Sequence, residues 1–361
     1  MLSALEADRI RVAEIDAQIR DLEHSLATLR IQKTLSQERL DAYKYPVLTL
    51  PTEIVSEIFI HFLPPYPHCP PLTGILSPTV LTQICRQWRE LALANPMLWR
   101  AIPVNLDEGI PLQQRTHICD VWLSRSRCPL SIQIVGFGEE EYFSDVLTSV
   151  FSHRVRWEYL ELSEGMPFNL SAIEGPMPLV RDLHLSLLDS VLEDKVAFYE
   201  MPMLRTVFLN SCAVASVILP WIQLTSLTLY NVYPSECSPI LQQTPNLVQC
   251  KLHVWLERRN PHPEPDIELP NLESLVLRDF GSSPLGYLQT FLIPALRSLS
   301  VPERLVWPNP IESLASFITK SGCRLQQVRI TGESSVPEAS YRDAMRSVGE
   351  ISFSNLHPDD E

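Results

Sequence analysis

His61, His68 and Cys69 lie close together and are of types that suit a metal ion, because imidazole nitrogen and thiolate sulfur are the usual zinc donors. Chelation needs more donors at ligand spacing, and no second His/Cys pair follows; the prolines around His68 mark a solvated loop instead. The run Glu139-Glu140-Glu141 offers carboxylates but no separated acid/base pair, and reads as a solvated loop. There is no GxSxG elbow, no glycine-rich phosphate loop and no HExxH helix. No metal or other cofactor is expected, and the chain reads as non-catalytic. The chemistry that remains is recognition by aromatic and charged side chains held at regular spacing.

Those side chains lie in a recurring phrase, apolar-x-x-apolar-x-apolar. It reads WEYLEL from Trp157, VRDLHL from Val180, LRTVFL from Leu204 and LTSLTL from Leu224. It continues as LVQCKL from Leu247, LESLVL from Leu272, LRSLSV from Leu296 and LQQVRI from Leu325. Successive starts differ by 23, 24, 20, 23, 25, 24 and 29 residues, and Pro178, Pro202, Pro245, Pro270 and Pro294 each stand two residues before a phrase. A period near two dozen residues with this pattern resembles leucine-rich repeats, which place one strand per repeat. The resemblance implies an α/β solenoid, a horseshoe, over residues 136–333. Return segments are expected at 142–151, 190–200, 235–243, 285–292 and 311–319, with PLSIQIV as a first strand. The family's Asn or Cys after the strand is matched only by Cys212; Leu188, Val232, Trp255 and Phe280 stand there elsewhere. On a strand, residues between inward apolar positions point outward. The outward candidates for a protein target are Tyr159, His184, Phe208, Tyr230, Lys251, His253, Arg278 and Arg329. This column runs from acidic (Glu161, Asp182) through aromatic to basic.

Composition narrows the partner class. The 361 residues carry a formal charge of −14, which argues against nucleic acid, a polyanion. No apolar run reaches membrane-spanning length, and the N-terminus lacks a signal-peptide core, so no membrane partner is expected. Eight scattered cysteines without a CxxC pair suit a reducing compartment, cytoplasm or nucleus. Only 11 glycines against 31 prolines disfavour a dinucleotide fold and point to many short elements.

Residues 46–102 carry the most specific signal. Leu50-Pro51-x-Glu53-Ile54-Val55-x-x-Ile58-Phe59 is followed by a loop with six prolines at 64–78. Then come Ile84-Cys85-Arg86-x-Trp88-Arg89-x-Leu91-Ala92 and Pro96-x-Leu98-Trp99. Ser77 and Pro78 read as the cap and first turn of one continuous second helix that ends at Asn95-Pro96. These blocks resemble the F-box, a small all-α module, in about a dozen positions taken in order. The proline-rich loop is longer than that pattern has. The resemblance implies docking on a Skp-type adaptor, and through it a cullin, with Leu50, Pro51, Ile54, Ile58, Leu81, Cys85 and Trp88 facing the adaptor or supporting that face. It implies a substrate-recognition subunit of a ubiquitin ligase; an adaptor-bound interaction scaffold without ubiquitination is the alternative.

Residues 1–45 lack Gly and Pro and repeat apolar residues at sevens: Leu5, Val12, Ile19, Leu26 and Leu40, with Ile15, Leu22 and Leu29 between. Lys33 interrupts the series. The seam fits self-association through residues 5–40 or a helix lying on the same chain; a helix of this kind before the box resembles a fungal branch of the family. Residues 103–135 read as a connector and 334–361 as a tail.

Overall fold

A computed structural model describes residues 2–42, 46–105, 111–136, 140–163, 170–188, 195–255, 266–279 and 286–354. Glu139, part of the expected 190–200 return, Phe280 and the terminal Asp359, Asp360 and Glu361 lie outside these residues. The chain divides into two units, residues 1–58 and 59–361.

The first unit is dominated by helix α1, Leu2–Ala42. No Gly or Pro interrupts it, so backbone hydrogen bonding runs unbroken over 41 residues. Its heptad seam is uncovered: Leu5, Val12, Ile15, Ile19, Leu22, Leu26 and Leu29 are 45–68% exposed. A turn at Pro46–Thr49 leads to α2, Thr52–Phe62, which starts with Glu53 where the helix dipole favours an acid.

After the end of α2 and the proline-rich loop, the second unit carries two short helices, α3 (Leu81–Ile84) and α4 (Arg86–Ala94), in place of the one continuous helix expected. The chain is extended at Cys85, whose sulfur accepts from the Trp88 N–H. Arg89 Nε bridges the break by donating to Thr82 O (2.7 Å). The helix ends at Asn95-Pro96 as expected; Ser77 Oγ accepts from Thr79 N and caps a 3-10 turn, Pro78–Val80, that leads into α3, and Asn95 Oδ1 accepts from Met97 N and caps the turn Pro96–Trp99.

Among the described residues fifteen strands follow: β1 (Ala101–Asn105), β2 (Leu130–Val135), β3 (Trp157–Ser163), β4 (Asp182–Ser186), β5 (Val196–Ala197), β6 (Thr206–Asn210), β7 (Val217–Ile218), β8 (Ser226–Val232), β9 (Gln249–Val254), β10 (Ile267–Glu268), β11 (Ser274–Asp279), β12 (Phe291–Leu292), β13 (Ser298–Pro302), β14 (Gln327–Thr331) and β15 (Glu350–Ser354). Eleven form one parallel sheet in chain order, β1-β2-β3-β4-β6-β8-β9-β11-β13-β14-β15. The short strands pair separately as β5–β7 and β10–β12. The protein is therefore a mixed α/β chain with a long N-terminal helix and a large parallel sheet. No helix among the described residues is long and apolar enough to cross a membrane.

Each of the eight phrases lies on a strand of this sheet. Their first, fourth and sixth residues, such as Leu224, Leu227 and Leu229, are all buried. The five prolines set the entry to their strands. Pro178 follows Met177, whose carbonyl accepts from Val180 N (3.3 Å), which puts Pro178 at the second position of a turn, where its fixed φ fits. The same closure joins Met201 to Leu204, Thr244 to Leu247, Leu269 to Leu272 and Ile293 to Leu296.

The sheet extends beyond the expected strands at both ends. PLSIQIV is its second strand, not its first; β1 begins at Ala101, inside the box-like segment. The 103–135 connector contains a helix, α5 (Leu112–Arg125), that buries Cys119 and Trp122. The tail from 334 adds α10 (Glu338–Ala344) and β15, which pairs with β14. Of the returns, α6 (Glu140–Phe151), α8 (Pro234–Leu241) and α9 (Pro310–Ser321) are helices. Residues 196–197 and 291–292 are extended, and Tyr287–Thr290 is a 3-10 turn.

Glu303 fastens the tail. It is 3% exposed and accepts hydrogen bonds from Ser334 Oγ (2.6 Å), Ser335 N (2.7 Å), Ser335 Oγ (2.5 Å) and Tyr341 OH (2.9 Å). Burial alone raises its pKa, but these donors outweigh burial and hold the carboxyl below its usual value. A carboxylate stabilised in this way contributes fully above its unfolded pKa of about 4.3 and loses that contribution as pH falls through the lower folded value. Glu303→Ala is expected to cost about 1–3 kcal/mol, because buried donors lose their acceptor. Amide protection factors over 338–354 should fall in the variant at neutral pH, and in the wild type only in acid. Unchanged exchange in the variant contradicts this clamp.

Candidate functional site

The outward positions of the sheet fall into rows fixed by strand register. One row runs Glu161, His184, Phe208, Thr228, Lys251, Val276, Ser300 and Arg329. Tyr159 belongs to a neighbouring row with Asp182 and Thr206, whereas Tyr230 is level with Asn210, and His253 with Arg278. The sequence candidates thus occupy three rows, and four of them meet. His184 stacks on Phe208 (centroids 4.0 Å, 19°), Phe208 on Tyr230 (6.2 Å, 26°), and Tyr230 lies 4.8 Å from His253.

A bulge makes this ladder possible. Between Leu229 and Val232, β8 carries one residue more than β9 across the way, and Asn231 takes a left-handed φ of 56°. Asn tolerates that conformation because its short amide bonds locally; a β-branched residue does not. The extra residue carries Tyr230 over His253. Asn231→Val is expected to lower stability by about 1–2 kcal/mol, whereas Asn231→Gly stays near neutral. Denaturation midpoints of the two variants decide this, and equal losses contradict it.

Burial corrects part of the candidate list. His253 is only 8% exposed, so it backs the ladder and does not present a contact surface. Tyr159 is covered by Tyr66, whose ring meets it edge-on at 5.1 Å. Asn210, an outward position by alternation, is instead a clamp: Nδ2 donates to Leu187 O (2.6 Å), and Oδ1 accepts from Leu187 N (3.1 Å) and Ala213 N (3.0 Å), capping α7 (Ser211–Ser216). His184, Phe208, Tyr230 and Arg278 are half-buried, and Lys251 and Arg329 are exposed. Burial lowers the pKa of His184, against the opposing pull of Glu161, so the imidazole is neutral at neutral pH.

The proline-rich loop is not a free excursion. Tyr66 OH donates to Glu158 Oε2 (2.9 Å), the Arg100 guanidinium sits 3.5 Å over the Tyr66 ring, and Ser131 Oγ donates to Pro67 O (2.6 Å). Cys69 packs beside Ser131, and burial pushes its thiol up to about 12. It is therefore a neutral packing group, while His68 and His61 are exposed. The loop covers the acidic end of the outward face over β2 and β3, leaving the ladder and the basic strands open. Nothing in the loop's sequence pairs Tyr66 with Glu158, 92 residues away.

In α2, Val55 and Phe59 are buried, whereas Ile54 and Ile58 are 50% and 44% exposed. Leu50 is half-buried and Pro51 exposed. In the second block Leu81, expected to face the adaptor or to support that face, is 4% exposed and belongs to the core. Its neighbour Ile84 is the exposed apolar residue there, at 56%. The break at Cys85 ends the helix that carries both. Trp88 is half-buried edge-on to Phe59 (5.0 Å). Trp99 anchors this block to the sheet unit through Ala92 O (2.9 Å) and the Trp122 ring (5.5 Å).

No protein-family model and no curated protein matches the chain.

Proposed function

We propose that residues 48–102 are an F-box that docks a Skp-type adaptor, and that the parallel sheet is a leucine-rich-repeat-like solenoid that holds a protein target. The chain would then recruit substrates to a cullin-based ubiquitin ligase in the cytoplasm or nucleus. Other subunits perform the transfer, and this chain contributes proximity. The observation that carries the reading is the pair Ile54 and Ile58, exposed one turn apart on a helix whose Val55 and Phe59 are buried. They stand at positions of the ordered F-box-like match where a folded monomer has no use for apolar surface.

On the sheet, the His184–Phe208 pair, stacked face to face at 4.0 Å with Tyr230 beside it, offers ring edges to a partner. Ring edges carry the positive part of the aromatic quadrupole. With Lys251, Arg278 and Arg329 on the strands beyond, the open part of the face suits a target segment rich in carbonyl and carboxylate oxygens. Affinity capture of the full chain tests the whole reading. Recovery of both adaptor and cullin supports the ligase subunit. Adaptor without cullin supports the scaffold alternative, and neither overturns the F-box.

A further inference from the structure

The exposed seam of α1 points to a partner of its own, independent of the ubiquitin-ligase reading. We propose that the occupant is a second copy of α1, running antiparallel, with Asp8 of each helix opposite Lys33 of the other.

The seam residues fall at two core positions of the heptad: Leu5, Val12, Ile19, Leu26, Lys33 and Leu40 at one, and Asp8, Ile15, Leu22, Leu29 and Ser36 at the other. Asp8 and Lys33 are thus the two charges within the seam, one near each end. A parallel, in-register pair stacks like residues on like. Asp8 then faces Asp8, and Lys33 faces Lys33, giving two like-charged core layers. An antiparallel pair that overlays the clean seams sets Val12 on Leu29, Ile15 on Leu26 and Ile19 on Leu22. The same alignment sets Asp8 on Lys33 at both ends, because 8 and 33 have the same sum as 12 and 29. One register therefore matches the apolar layers from Val12 to Leu29 and neutralises both charged ones, with Leu5 falling on Ser36 outside them.

Flanking residues pull weakly the other way. Parallel pairing places Arg11 opposite Asp16. Antiparallel pairing places Asp16 near Arg30 but also near Glu23, and Arg9 near Arg30. These are exposed pairs whose individual contributions are small and screened. Charges in the seam are partly desolvated and count for more, so the core layers set the orientation. Three clean heptads give a weak dimer, populated at tens of micromolar.

The test uses the full-length chain at about 100 µM, as an equal mixture of ¹⁵N-labelled and unlabelled protein. Zero-length carbodiimide coupling followed by mass spectrometry should yield a mixed-isotope peptide joining the Asp8 carboxyl to the Lys33 amine. In a parallel dimer these groups lie about 37 Å apart and cannot couple. Sedimentation of charge variants gives a second readout. Asp8→Lys and Lys33→Asp should each weaken the dimer about tenfold, and the double exchange should restore it. A monomeric wild type, a dimer without the Asp8–Lys33 peptide, or equal affinity in all four chains overturns the proposal.

Discussion

A chain carrying Ile54→Asp and Ile58→Asp is expected to fold normally and to recover no Skp-type adaptor. Both side chains are about half exposed, so neither substitution opens a cavity or buries a charge in the folded monomer. At a dry interface each isoleucine contributes about 1.5–3 kcal/mol, and a carboxylate in its place adds a desolvation cost of its own. The two together exceed about 4 kcal/mol, roughly a thousandfold in affinity, enough to abolish a modest complex. Leu50→Ala with Pro51→Ala is a milder second probe of the same block. Trp88→Ala is a poor one, since its ring packs edge-on to the fully buried Phe59. Undiminished adaptor recovery from variants with wild-type thermal midpoints sinks the F-box assignment.

The second large effect is expected on the sheet. Phe208→Ala with Tyr230→Ala should abolish capture of the target while adaptor recovery stays at the wild-type level. Aromatic anchors at an interface centre typically cost about 2 kcal/mol or more each on truncation. Here the loss is compounded, because His184 loses its stacking partner at 4.0 Å and His253 loses Tyr230 at 4.8 Å. Both rings are half-buried, and the inward core of Leu209 and Leu229 is untouched, so the strands persist. Proximity labelling with the full-length variant reads the outcome. A variant that retains the adaptor and labels the same proteins as the wild type places the target site elsewhere.

The repeat was legible because its inward residues are read by a simple period, and a parallel strand tolerates little else at those places. The two end strands carry the same phrase and were still missed. Trp99-x-x-Ile102-x-Val104 leads into β1, with all three residues at 0–1% exposure, but its residues also complete the F-box-like pattern. Val348-x-x-Ile351-x-Phe353 leads into β15, 23 residues after Leu325, where a polar, Ser-rich stretch reads as a tail. The candidate face was legible only as an alternation. Register cannot be read from one strand, and the bulge at Asn231 shifts which residues meet. That shift puts Tyr230 on His253 and buries the latter. The contacts of Tyr66 with Glu158 and of Glu303 with Ser334 join residues far apart in sequence, with no local pattern to announce them.

The central claim is that residues 48–102 dock a Skp-type adaptor. The most direct measurement is calorimetric titration of the purified full-length chain with a purified adaptor of that type. The account predicts saturable one-to-one binding that the Ile54→Asp/Ile58→Asp chain lacks. No binding by the folded wild-type chain, or equal binding by the variant, contradicts it.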